Sequence, residues 1–136
     1  MSEAQRKFVC PEFPKEVNIL GSKWSIRIQD FDQNPYFKKH EADGYSAFAT
    51  REIVVCNPAS HPEEDGDEKN TYYLNIIKNT MKHEIVHAFL SESGLDTCAF
   101  SSRRAWSKNE EMVDWIAIQG QKIYKAWKEA GCLDEE

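Results

Sequence analysis

An α+β domain is predicted, with a short antiparallel or mixed sheet in the N-terminal half and two long helices after it. Three patterns carry this expectation. Trp24, Ile26 and Ile28 alternate with Lys23, Ser25 and Arg27, the period of two of a half-buried strand. Leu74, Ile77, Met81, Ile85, Ala88 and Phe89 recur near i, i+3, i+4 and i+7, the stripe of an amphipathic helix. Met112, Val113, Ile116, Ile123, Ala126 and Trp127 repeat that spacing behind Asn109, Glu110 and Glu111.

Taken in order, residues 17–20 and 23–28 read as two strands of a hairpin, with Gly21-Ser22 as the turn. Residues 44–49 and 52–56 make a second strand pair, closed by Asn57-Pro58. The stretch 61–69, HPEEDGDEK, is acidic and polar and reads as an exposed loop. It lacks the ligand spacing of a Ca²⁺-binding EF-hand, with no Glu at the twelfth position. The first long helix is expected from about Glu68 to Ser93, with Gly94 as its stop signal. A connection over 95–108 leads to the second helix. Asn109 suits its N-cap, and Glu110 and Glu111 suit its first turn, where acids complement the helix dipole. No repeat or Gly/Ser linker divides the chain, so residues 1–136 are read as one domain.

Composition narrows the partners. The 136 residues are 40% hydrophobic and 29% charged, as expected of a globular chain with its own core. The net charge of −6 argues against nucleic acid, which needs clustered Lys and Arg. Lys38-Lys39-His40 is followed at once by Glu41, and Arg103-Arg104 is a second short cluster. No apolar run approaches the roughly 20 residues of a membrane span, and the first residues lack the apolar core of a signal peptide. A cytoplasmic protein is expected. Cys10, Cys56, Cys98 and Cys132 form no CxxC pair and read as reduced, mostly buried thiols. Trp24, Trp106, Trp115 and Trp127 are expected in the core.

The chemistry concentrates in His83-Glu84-Ile85-Val86-His87, inside the first long helix. Two His at i and i+4 lie one turn apart on the same face, so both imidazoles reach one tetrahedral Zn²⁺. Glu84 sits about 100° round the helix from His83. There it reaches a metal-activated water as general base without binding the metal. Such a pattern arises by chance in about one chain of this length in a few hundred. A chance copy need be neither helical nor followed by a carboxylate-bearing helix.

A catalytic zinc takes a third protein ligand and keeps one position open. The metzincin extension requires Gly at position 90 and His at 93, where this chain has Leu90 and Ser93. The third ligand is therefore sought in NEEMVD, residues 109–114. Glu110 is the favoured ligand, with Glu111 one residue of register away. Asp114, at i+4 from Glu110, is placed to accept the free N–H of a ligating His and fix its tautomer.

The run HEIVHAFLSESGL, residues 83–95, followed by NEEMVD resembles the gluzincin class of zinc peptidases, whose familiar member is thermolysin. The short chain and the closely following Glu helix look more like the minimal gluzincins. These include the ImmA/IrrE-type peptidases and related small phage or mobile-element metallopeptidases. The resemblance implies a zincin-like fold, a Zn²⁺ cofactor and cleavage of a peptide or protein substrate, such as a repressor-like protein. No helix-turn-helix or sensor pattern accompanies the motif.

The expected function is thus zinc-dependent peptide hydrolysis, with His83, His87 and Glu110 as ligands, Glu84 as base and Asp114 orienting a His. The alternative is a non-catalytic, zinc-stabilised binding or regulatory module of phage or mobile-element origin, which has no need of Glu84. Residues 44–49, small and mildly polar, suit an edge strand that pairs with an extended substrate. A donor for the substrate's oxyanion is required as well. Tyr72, Tyr73, His40, His61, Arg103, Arg104 and Tyr124 are candidates, none favoured; His40 and His61 lie in polar stretches and read as solvated.

Overall fold

The computed structural model describes residues 8–64, 69–95 and 109–129. It begins with a hairpin, in which β1 (Glu16–Ile19) pairs antiparallel with β2 (Ser22–Gln29). The turn is Leu20-Gly21 rather than Gly21-Ser22. Both its residues take positive φ (50° and 90°), as a two-residue hairpin of matching twist demands. The Gly21 N–H donates to Asn18 Oδ1 at 2.8 Å. Leu20 is left outside the strand and 59% exposed.

β2 next pairs in parallel with β4 (Glu52–Cys56), and β3 (Gly44–Ala47) pairs antiparallel with β4 at the sheet edge. The order is β1-β2-β4-β3, a mixed sheet. Parallel neighbours need a crossover. Here it runs through a short helix, α1 (Pro35–Lys39), and through β3 itself. Asn34 caps α1 by accepting the Tyr36 N–H at 3.0 Å, and Pro35 fits its first turn.

β4 explains the layering. Ile53, Val54, Val55 and Cys56 are all buried, so both faces of this central strand are covered. On one face Ile53 and Val55 join Ile19, Trp24 and Ile26 against Ile77 and Ala88 of α2 (Asn70–Leu90). On the other, Val54 and Cys56 pack with Phe37 of α1, flanked by Phe31 and Tyr45. α1 and α2 therefore lie on opposite faces of the sheet.

α2 ends in a wider turn, Ser91–Leu95, where Gly94 takes φ 96° and stops the helix. The expected start near Glu68 lies outside the described residues. Phe89 was expected on the buried stripe but is 40% exposed, because it lies about 100° round the helix from the buried Ala88. α3 (Glu110–Glu129) opens as expected: Asn109 Oδ1 accepts the Met112 N–H at 2.9 Å. Val113 faces inward, fully buried. Trp115 is two residues on, about 200° round, and is 58% exposed rather than core. Trp24 is fully buried. Trp106 and the side chain of Trp127 lie outside the described residues. Cys10 is partly buried and Cys56 buried, both as free thiols; Cys98 and Cys132 lie outside the described residues. Among the described residues no helix is long and apolar enough to cross a membrane.

A clamp that sequence reading missed closes the far end of α2. Glu92 Oε1 accepts both the Trp24 indole N–H, at 2.9 Å, and the Arg51 Nε–H. It thus ties α2 to β2 and to the β3–β4 turn. The Arg51 bond first, then the Trp24 bond, hold the Glu92 carboxyl below its ordinary 4.5. Stability from a lowered carboxyl is complete above the unfolded value and lost as pH falls through the folded one. We expect Glu92→Gln to lower the unfolding temperature at neutral pH and to flatten its fall below 4.5, in thermal melts between about pH 3 and 7. Ile77→Ala, at a fully buried site, should cost about 2–5 kcal/mol by chemical denaturation.

Candidate metal centre

The site forms where α2 and α3 cross. His83 and His87 lie one turn apart on α2, and Glu110 and Asp114 one turn apart on the first turns of α3. Glu110 meets both His, and Asp114, one turn further along α3, meets His83, one turn back along α2, so the two helices run antiparallel here. His83 Nε2 and His87 Nε2 stand 3.2 Å apart. Glu110 Oε2 is 3.2 Å from His83 Nε2, and Glu110 Oε1 is 2.7 Å from His87 Nε2. Donors of a tetrahedral zinc with bonds of about 2.0–2.1 Å stand about 3.3 Å apart. The triangle of side chains His83, His87 and Glu110, with one Glu110 oxygen turned to each imidazole, therefore has two spacings close to that edge and one shorter.

The orientation of His83 is fixed from behind. Its Nδ1 is bonded to Asp114 Oδ1, so a neutral ring carries its proton on Nδ1 and leaves the Nε2 lone pair for a ligand. Glu110 is the carboxylate that completes the triangle. Glu111 is exposed and makes no ion pair among the described residues.

Glu84 takes a different position. The donor atoms of His83, Glu84 and His87 all lie within 4.8 Å of one another, so these three also form a group able to hold a cation. Yet Glu84 Oε2 stands 4.0 Å from His83 Nε2, wider than a tetrahedral edge and wider than the Glu110 contacts. On distance Glu110 is the better ligand, and Glu84 sits beside the triangle. Its side chain is 8% exposed. Burial, with the Glu110 and Asp114 charges, pushes its carboxyl up to about 7, against the pull of His83 and of a hydrogen bond from Ser46. A base with a pKa near neutrality is suited to taking and returning a proton at working pH.

The partner of Glu84 comes from β3. Gly44 and Ser46 alternate toward α2, while Tyr45 turns to Phe37 on the other face. Gly44 is required by contact rather than by φ. A Cβ there would meet Thr80 Cγ2 and the Val54 carbonyl oxygen, each at 2.9 Å, and Glu84 Cγ at 3.6 Å. Two adjoining cavities, of about 490 and 410 Å³, open over the site.

The other sequence candidates separate. Tyr73 is buried, Tyr72 and Tyr124 are about half exposed, and none of them lines these two cavities. His61 packs its ring on Phe31, away from the site. Arg103 and Arg104 lie outside the described residues. Ser46 and Gly44 went unnamed as site residues, although the alternation of small residues in 44–47 was the available signal. In the acidic stretch Glu63 is exposed and Glu64 partly buried; residues 65–68 lie outside the described residues.

No family model, curated protein or solved structure matches this chain. The donor geometry and the burial of Glu84 are what bear on function. Gly44→Ala should destabilise the protein by about 1–3 kcal/mol through overpacking, read by chemical denaturation.

Proposed function

We propose that this protein is a zinc-dependent peptidase with a zincin-like site of the minimal gluzincin kind. One observation carries the reading. Two imidazole nitrogens and a carboxylate from two helices converge within 3.2 Å, with a second, buried carboxylate alongside that stands apart from the triangle. His83, His87 and Glu110 hold the metal, and Asp114 fixes the His83 ring. A divalent ion bound there supplies Lewis acidity, which acidifies water and polarises a carbonyl. Glu84 takes the water's proton as its oxygen attacks the peptide carbon. It then passes that proton to the leaving amine as the C–N bond breaks. An extended substrate pairs along the free edge of β3. The likeness of the two motifs to the minimal gluzincins and the intact Glu84 favour a peptide or protein substrate, repressor-like proteins among them, and the net charge of −6 argues against nucleic acid.

Two His and a carboxylate also suit other divalent ions, so the ion must be measured. Elemental analysis of the purified protein should give about one zinc per chain. His83→Ala and Glu110→Ala should lose it, and Asp114→Ala should bind it about 10–100-fold more weakly. Glu84→Gln should keep the metal and lose about 10²–10⁴-fold in cleavage of an unfolded protein substrate. No stoichiometric metal, after zinc is supplied at neutral pH, would sink the proposal. Full turnover in Glu84→Gln would remove its mechanism.

A further inference from the structure

Among the described residues, the two cavities over the site share six that line both: His40, Ala42, Gly44, His83, Glu84 and Glu110. These form the waist of one cleft. Ala42 and Gly44 bring no polar side-chain atom to it. His83 and Glu110 belong to the donor triangle, and Glu84 stands beside it. His40 is thus the one waist residue with a hydrogen-bond donor not already committed. Its side chain makes no hydrogen bond or ion pair among the described residues. Among the described residues, neither cavity is lined by Lys or Arg.

His40 is also held in place. It caps α1, its backbone N–H donating to the Tyr36 carbonyl at 3.0 Å. Its ring lies 4.2 Å from that of Tyr36, and Tyr36 lies 4.4 Å from Tyr45 on β3. The Tyr45 hydroxyl accepts from Asn34 Nδ2 at 2.9 Å. An aromatic stack anchored on the sheet therefore carries the imidazole to the cleft. Among the described residues its side chain makes no hydrogen bond or ion pair with His83, His87 or Glu110, which do contact one another.

We infer that His40 is a catalytic residue of the peptidase proposed above, on which this inference rests. It donates an N–H hydrogen bond to the substrate's carbonyl oxygen. As water attacks, that oxygen gains the negative charge; the proton released goes to Glu84 and none leaves His40. A fixed donor aimed at developing charge is worth about 10²–10³-fold in turnover.

The test uses full-length protein loaded with Co²⁺, whose visible spectrum reports the site, and inorganic phosphate as the oxyanion probe. His40→Ala should leave Co²⁺ stoichiometry and the phosphate-free spectrum unchanged and weaken phosphate binding about tenfold or more, a loss of the size of one charge-assisted hydrogen bond. His61→Ala, a histidine outside the cleft, should bind phosphate as the wild type does. In the zinc protein, His40→Ala should lower kcat on an unfolded protein substrate with little change in KM. Unaltered phosphate affinity and kcat in His40→Ala would overturn the assignment and leave the peptidase reading standing. Loss of the metal in His40→Ala would overturn it too, by making His40 a ligand. Wild-type protein that binds no Co²⁺ would fail the peptidase reading itself.

Discussion

The fold depends on one constraint: α2 carries a carboxylate in its core stripe. Tyr73, Ile77, Glu84 and Ala88 are its buried residues, spaced four, seven and four apart, so they fall on one side of the helix. Ile77 and Ala88 meet β2 and β4 across an apolar layer. Glu84, between them in sequence, has to be buried with them. A buried carboxylate is costly unless it is paired or protonated. The sheet answers at its edge, where β3 offers no side chain at Gly44 and a hydroxyl at Ser46. The remaining cost appears in the Glu84 carboxyl, raised to about 7.

From that contact the site follows. With Glu84 turned to β3, the neighbouring face of α2 turns His83 and His87 toward α3. The buried Val113 fixes the rotation of α3. That rotation presents Glu110 and Asp114, three residues before and one after it, to the two imidazoles. Glu84 and the two imidazoles are thus held by different partners, Glu84 by the sheet edge and the imidazoles by a helix.

α1 is the element that completes the cleft, and it was invisible to periodicity. Five residues are too few to display a helical stripe. Its signals were local ones, an Asn-Pro start with Asn34 as cap and Pro35 in the first turn. A His in polar sequence reads as solvated, and His40 is indeed exposed. Its place at the waist comes from the crossover that parallel pairing of β2 with β4 imposes.

By itself the sequence determined the strands, the two long helices, the Asn109 cap, the Gly94 stop and the side of α2 on which His83 and His87 lie. Each is set by local chemistry or by a period that needs no partner: alternation, the helical repeat, a cap, a glycine able to take positive φ. Only the tertiary structure decided which carboxylate reaches the two His. Glu110 and Glu111 have the same chemistry and differ by about 100° of helix rotation, and that rotation is fixed by what Val113 buries. Tertiary packing also exposed Trp115 and Phe89, covered β4 on both faces, and joined Glu92 to Trp24 and Arg51 across the fold. It set Gly44 and Ser46 against Glu84, a contact between residues about forty apart. Such pairings depend on the mutual orientation of packed elements, which no local pattern encodes.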